Sequence, residues 1–144
     1  MTSLTLVRRI KARPSIVFDA LTTPEGIASW WGPDDGPVLV AETDPQVGGR
    51  FRVRFRMLDG SEHESSGEYL EVVRPHRLVF ALLAEKYSLN FERVTVLFDP
   101  RGTGCELSLT HETRLELAQQ AQRDWAKVLD RLAAMLIASG RDAA

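Results

Sequence analysis

Residues 50–57, RFRVRFRM, alternate an arginine with an apolar side chain at every step. Successive side chains of a β-strand point to opposite faces of the sheet, so this pattern predicts a strand with one apolar face and one arginine face. If the strand paired one residue out of register, its guanidinium groups would be buried and its apolar side chains exposed. Because this exchange is unfavourable, the register is strongly specified. The segment therefore predicts a sheet that other structure covers on one face only.

Further strands surround this segment and are joined by short turns. An Asp-Gly pair at 59–60 predicts a hairpin, and PRGTG at 100–104 predicts a second one. Glutamates Glu62, Glu64 and Glu68 follow the first turn, where they can form cross-strand pairs with the arginine face. Six to seven antiparallel strands are expected, drawn from the segments 3–12, 36–43, 48–57, 62–73, 76–84, 91–99 and 105–113.

Three helices are predicted beside the strands. Pro14 and Pro24 each suit the first turn of a short helix, Thr23 can cap the second, and Gly32-Pro33 ends it. The segment 114–140 has apolar side chains at steps of three and four, which predicts one long amphipathic helix. Its apolar stripe consists of Ala118, Ala121, Trp125, Val128, Leu129, Leu132 and Leu136.

The element order is strand, two short helices, antiparallel strands and a long helix, which is typical of an α+β domain. A twisted sheet of this size curves around the helix that covers its apolar face. Where sheet and helix do not touch, an apolar cavity is expected. The 144 residues fit one domain over 1–144, with 139–144 as a flexible tail.

Composition excludes several function classes. A formal net charge of -2 gives no field that would gather nucleic acid. The single cysteine, Cys105, rules out a disulfide within the chain and is expected to be a buried thiol. No apolar run reaches the roughly 18 residues of a membrane span, and the N-terminus lacks the order of a signal peptide. We expect a cytoplasmic protein with no membrane partner, metal or cofactor.

Four segments resemble, in one register, the helix-grip (SRPBCC) superfamily of START-like lipid carriers, plant pathogenesis-related proteins and polyketide cyclases. Within it, the chain is similar to the subfamily named for homology to the activator of the Hsp90 ATPase. The resemblance implies a curved sheet wrapped around the C-terminal helix, with the short helices near a pocket mouth. It is carried by ARPSIVFDALTTPEGIASWWGP, VGGRFRVRFRMLDGSEHESSGEYLEVVRPHRLVF, VTVLFDPRGTGCELSLTHE and DWAKVLDRLAAML, which span most of residues 5–138.

The chain departs from the subfamily pattern on the long helix. Members often carry a histidine and a glycine four and one residues before the helix tryptophan. Here Ala121 and Asp124 hold those positions, while Trp125 is kept. A pocket role that depends on that histidine does not carry over.

The adjacent Trp30 and Trp31 stand where the second short helix ends. Either both indoles fasten that helix to the sheet, or one lines a cavity while Trp31 covers its mouth. His111 shares the inner face of the last strand and is either a structural histidine or a polar handle for a ligand. The expected pocket lining is Trp30, Trp31, Phe51, Val53, Phe55, Val94, Val96, Leu107, Leu109, His111, Trp125 and Leu129.

These features predict a module that binds a small hydrophobic or amphipathic ligand between the sheet and the last helix. One alternative is an enzyme of cyclase or hydratase type in which His111 works with Glu68 or Tyr69, brought near by a bulge at Gly67. Another is a protein-interaction module, although contact with the chaperone itself is not expected. The sequence is also compatible with a homodimer. No catalytic residue is assigned.

Overall fold

The computed structural model describes residues 1–32, 34–84 and 90–139, with side chains up to Leu136. The α+β prediction is confirmed, and the strand segments and the long helix agree with the sequence to within two residues at each end. Of the tail predicted for 139–144, only Ser139 falls within the described residues. The elements are β1 (Thr2–Ile10), α1 (Pro14–Thr22), α2 (Pro24–Trp30), β2 (Val38–Thr43), β3 (Arg50–Arg56), β4 (Glu62–Val73), β5 (Arg77–Ala84), β6 (Glu92–Arg101), β7 (Gly104–Thr113) and α3 (Leu115–Ser139).

The seven strands form one sheet in the order β1-β7-β6-β5-β4-β3-β2. Every neighbouring pair is antiparallel. The order follows the chain from β2 to β7, and β1 then joins the sheet beside β7. The short helices α1 and α2 therefore lie in the connection that carries the chain from one edge of the sheet to the other.

The long helix α3 packs against part of the inner face of this sheet. Its backbone comes closest to β1 and α2. Leu129 and Leu132 on its apolar stripe are fully buried, and burial of a leucine side chain contributes about 1.5 to 3 kcal/mol. Arg8 of β1 also pairs with Asp130 of α3, with 2.8 Å between Nε and Oδ1. Among the described residues, no helix is long and apolar enough to cross a membrane.

The alternation of β3 confirms the predicted faces. Phe51, Val53 and Phe55 are buried on the inner face. On the outer face, Arg52 pairs with Glu42 on β2 and with Glu64 on β4, each at 2.8 Å. Arg54 and Arg56 both pair with Glu62, and their hydrogen bonds lower the pKa of that carboxyl group. The arginines and glutamates thus pair with one another on the face of the sheet that is exposed to solvent.

Gly67 lies on the inner face of β4, and its missing side chain gives room to a ring of β3. It is paired regularly with Phe51 and Leu82, so the bulge predicted at this glycine is wrong. The register shift in β4 falls between Tyr69 and Glu71 instead. A Cβ at Gly67 would overlap the Phe51 ring and the carbonyl oxygen of Ala81. The glycine therefore allows an aromatic ring to lie across the strand.

We predict that Gly67→Ala destabilises the protein by about 1 to 3 kcal/mol, the usual penalty of overpacking a core. The free energy of unfolding in urea measures this loss. Ser66→Ala, one residue away and on the opposite face, serves as the control and leaves stability nearly unchanged. Equal stability of the two variants would show that the Phe51 ring does not depend on the glycine.

Candidate ligand cavity

A cavity of about 100 Å³ lies between the end of α2, the strands β3 to β5 and β7, and the middle of α3. Its wall is mostly aromatic and aliphatic. Of the aromatic residues in this wall, Trp31 alone is partly exposed, and it marks the mouth of the cavity. Smaller cavities of about 20 and 40 Å³ share some of its walls. The lining residues of the main cavity are Trp30, Trp31, Gly32, Phe55, Ser65, Leu82, Ala84, His111, Ala121, Asp124, Trp125 and Val128.

The residues expected to line a pocket divide into three groups. Five of them line the main cavity: Trp30, Trp31, Phe55, His111 and Trp125. Phe51, Val96 and Leu109 line the 20 Å³ cavity instead, which Trp30, Trp31 and Trp125 also border. Val53, Val94, Leu107 and Leu129 are fully buried core residues and line none of these three inner cavities.

Several lining residues were not among those predicted. Leu82 and Ala84 continue the inward-facing positions of β5, and Val128 belongs to the apolar stripe of α3. Ser65 is paired with Ala84 across β4 and β5. For Ser65 and Ala84 the signal in the sequence is size, because small side chains at facing inward positions leave space that a larger residue would fill.

The two tryptophans of the mouth differ in burial. Trp30 is only 2% exposed, and its Nε1 donates a hydrogen bond to the carbonyl oxygen of Ala20 at 2.8 Å. Trp31 follows at the C-cap of α2, where the chain leaves the helix, and is half-buried. The ring centroids are 5.4 Å apart, with 48° between the planes. Trp30 is thus the inner ring and Trp31 the outer ring at the opening.

Arg131 of α3 fastens this tryptophan segment to the helix. Its Nη1 donates to the carbonyl oxygens of Trp30 at 2.9 Å and Gly32 at 3.0 Å. Its Nη2 reaches the carbonyl oxygen of Asp34 and the carboxylate of Asp35, both at 3.3 Å. A planar guanidinium can serve several acceptors at once, which an ammonium group cannot do in the same geometry.

His111 is held by a hydrogen bond at each ring nitrogen. Trp125 donates from its indole Nε1 to Nδ1 at 2.9 Å. Nδ1 must therefore be the unprotonated nitrogen, and Nε2–H donates to Oε1 of Glu92 at 2.8 Å. The other carboxylate oxygen of Glu92 accepts from Thr113 at 2.9 Å. The contacts thus define one neutral tautomer.

The electrostatics of His111 agree with this tautomer. Burial lowers the pKa of the imidazole below its ordinary value, although the hydrogen bond and charge of Glu92 act in the opposite direction. A second proton would have to sit on Nδ1, where the indole N–H of Trp125 already points. The contact between His111 and Glu92 is therefore a hydrogen bond from a neutral ring. Both ring nitrogens are used within the protein.

The acid and base groups considered for catalysis do not form a cluster. Glu68 lines a groove on the outer face of the sheet, whereas His111 lies on the inner face. Tyr69 is buried, which raises the pKa of its hydroxyl group. Cys105 is buried as predicted, and burial raises the pKa of its thiol to about 11. Among the residues that the structure describes, no group of three His, Cys, Asp or Glu side chains could hold a metal ion.

The family model of activator of Hsp90 ATPase homolog 1-like proteins matches residues 11–137. The chain belongs to this family. The cavity, the paired tryptophans and the long helix described above therefore occur in a member of the family of activator of Hsp90 ATPase homolog 1-like proteins. The resemblance to this family that the sequence shows is confirmed. A search of curated proteins by sequence found no match.

Solved structures with the same fold come from several bacteria. A protein from Chromobacterium violaceum is 26% identical, with a TM-score of 0.83 over 94% of this chain and 97% of that chain. The AHSA1-like protein from Aeromonas hydrophila is 25% identical, with a TM-score of 0.83 over 96% of this chain and 94% of the other. The AHSA1 protein from Silicibacter pomeroyi is 21% identical and shares the fold, with a TM-score of 0.83 over 96% and 99%.

We predict that Arg131→Lys loosens the mouth of the cavity, because one ammonium nitrogen cannot replace both Nη1, which binds the carbonyl oxygens of Trp30 and Gly32, and Nη2, which reaches the Asp34–Asp35 segment. The expected loss of stability is about 1 to 2 kcal/mol. Acrylamide quenching of tryptophan fluorescence should rise, since Trp31 is the most exposed indole. Arg114→Lys, at the start of α3, is the matched control. Unchanged quenching in Arg131→Lys would contradict the role given to this residue.

We predict that His111 makes stability depend on pH. An unfolded histidine binds a proton near pH 6.5, whereas the buried ring binds one only at lower pH. Acidification through pH 6.5 therefore favours the unfolded state, and the free energy of unfolding falls. Urea titrations between pH 7.5 and 5 measure this fall, and His111→Gln should flatten it. His76→Gln, at an exposed histidine, should not. Identical pH profiles in all three proteins would refute the assignment.

Proposed function

We propose that this protein binds a small apolar or amphipathic molecule in the 100 Å³ cavity, with the polar end of the ligand at the mouth. The observation that carries the proposal is the wall itself. Three indoles and Phe55 surround a space that the adjacent side chains leave empty. Ligand sites are mostly apolar and contain a few polar groups that orient the ligand, which is the composition of this wall.

The volume narrows the class of ligand. An apolar cavity of about 150 Å³ holds a benzene ring, so a cavity of about 100 Å³ suits a short alkyl chain or part of a small ring. A whole lipid would need Trp31 to move aside. Burial of apolar surface, at about 25 cal/mol per Å², would supply most of the affinity. We therefore propose a small amphipathic ligand with its polar end near Trp31.

The contacts of His111 support binding over catalysis. Both ring nitrogens are engaged by Trp125 and Glu92, so the imidazole has no vacant position from which to move a proton to or from a ligand. Its proposed role is to hold the Trp125 indole in the cavity wall. The ligand would then be retained by the shape and apolar character of the site, without a chemical step.

The binding test uses two neutral probes, 1-hexanol and benzyl alcohol. We expect saturable shifts of the tryptophan indole N–H resonances in NMR titrations. Ala121→Phe places a ring in the cavity wall and should weaken binding at least about tenfold, since it removes most of the apolar contact. Ala134→Phe, on the exposed side of α3, is the matched control and should bind as the wild type does.

Two results would contradict the proposed function. One is the absence of saturable shifts with either alcohol. The other is equal binding by Ala121→Phe and the wild type, which would place the binding site outside this cavity.

A further inference from the structure

Most polar side chains buried in this protein have a hydrogen-bond partner. Apart from tyrosine and tryptophan, the buried polar side chains of the described residues are Thr22, Ser65, His111 and Thr113. Thr22 and Thr113 each donate a hydrogen bond from the hydroxyl group, at 3.0 and 2.9 Å, and His111 is bound at both ring nitrogens. The hydroxyl group of Ser65 forms no hydrogen bond with any residue that the structure describes.

The oxygen of Ser65 borders the main cavity. Within the described ranges, no side-chain oxygen or nitrogen is sealed inside the protein without a hydrogen-bond partner. Because the hydroxyl group of Ser65 has no partner there, its oxygen is not sealed. Ser65 is only 6% exposed and lines the main cavity, so the open space that its oxygen reaches is this cavity.

The neighbours of this hydroxyl group across the sheet are apolar. Ser65 is paired with Val53 on β3 and with Ala84 on β5, and neither side chain can form a hydrogen bond. A buried polar group without a partner is unfavourable, because folding removes the hydrogen bonds that it made with water. A ligand atom that bonds to the hydroxyl group would replace those lost hydrogen bonds.

The other polar side chains of the cavity wall are engaged within the protein. His111 is bound by Trp125 and Glu92, and Asp124 accepts from Nε2 of Gln120 at 2.9 Å. The hydroxyl group of Ser65 can donate or accept a hydrogen bond but carries no charge, so it suits a hydroxyl or carbonyl oxygen. A charged group beside it would be buried without an opposite charge from Ser65, which is unfavourable.

We infer that the ligand carries a neutral oxygen, as a hydroxyl or carbonyl group, on the apolar part that enters the cavity, and that this oxygen pairs with the hydroxyl group of Ser65. The inference rests on the proposed function and specifies its ligand class. Ser65 is buried, whereas Trp31 at the mouth is partly exposed, so this oxygen is a second polar group besides the polar end at the mouth. A hydroxylated aromatic alcohol is a ligand of this class.

The binding test compares 3- and 4-hydroxybenzyl alcohol with 3- and 4-methylbenzyl alcohol in NMR titrations. Within each pair, a ring hydroxyl group replaces a methyl group of similar size. Ser65→Ala should raise the Kd of at least one hydroxybenzyl alcohol about threefold to tenfold, the effect of one hydrogen bond. The Kd of its methyl analogue should stay within about twofold or fall, because the variant removes only a polar atom from the wall.

The comparison within each pair cancels the difference in hydration between the free compounds, since that difference is the same for both proteins. Ser66→Ala is the matched control. It removes a hydroxyl group from the next residue of β4, on the opposite face of the sheet, and should bind all four compounds as the wild type does.

A stability measurement separates this role from a structural one. Ser65→Ala should unfold at the same urea concentration as the wild type or at a higher one, because the hydroxyl group has no protein partner to lose. Thr113→Val removes the hydrogen bond to Glu92 and should unfold at a lower urea concentration. A lower midpoint in Ser65→Ala would assign the hydroxyl group to the structure of the protein and overturn the inference.

The binding outcomes separate the inference from the proposed function. If 1-hexanol or benzyl alcohol binds, but neither hydroxybenzyl alcohol depends on Ser65, the inference is overturned and an apolar ligand site remains. Equal weakening of both members of a pair in Ser65→Ala also overturns it. If neither these four compounds nor the two alcohols of the earlier test bind, both proposals fail.

Discussion

One helix cannot cover a seven-stranded sheet, and this mismatch shapes the molecule. Strands about 4.8 Å apart make a sheet roughly 29 Å wide, whereas a helix with its side chains is about 10 to 12 Å across. The helix α3 lies closest to β1 and α2. The apolar face of the central strands must therefore be covered by curvature of the sheet, by large side chains or by a ligand. The cavity lies where this cover is incomplete.

The tryptophans, and the residues that hold them in place, complete the covering of the apolar face of the sheet. Trp30 anchors the end of α2 by burial and by its hydrogen bond to Ala20. Arg131 binds the carbonyl oxygens that follow, so the mouth is tied to the helix that forms the opposite wall. His111 fixes Trp125 from the sheet. Polar contacts at the periphery thus fix the tryptophans that border the apolar space, and the binding proposal follows from this arrangement.

Local periodicity predicted the fold because each element carries its own pattern. The alternation in β3 and the stripe on α3 each define one buried face. The family resemblance supplied the way in which sheet and helix combine. The inner position of Trp30 and the outer position of Trp31 follow from where α2 ends, and the sequence already located that end at the tryptophan pair.

The details of the cavity depend on contacts between residues far apart in the chain. The pairing of His111 with Glu92 depends on the register of β6 and β7, which no local pattern defines. The role of Gly67 depends on the path of the Phe51 ring, so the sequence indicated a bulge where the structure has a close approach. Which apolar residues border empty space depends on small differences in packing.

The binding proposal requires that the space among Trp31, Phe55 and Val128 is an open apolar cavity. A crystal structure determined under xenon pressure tests this most directly, because xenon enters apolar cavities and leaves packed cores. We expect a xenon peak between these three side chains. A core without xenon, in which the tryptophan rings or neighbouring side chains fill that space, would contradict it.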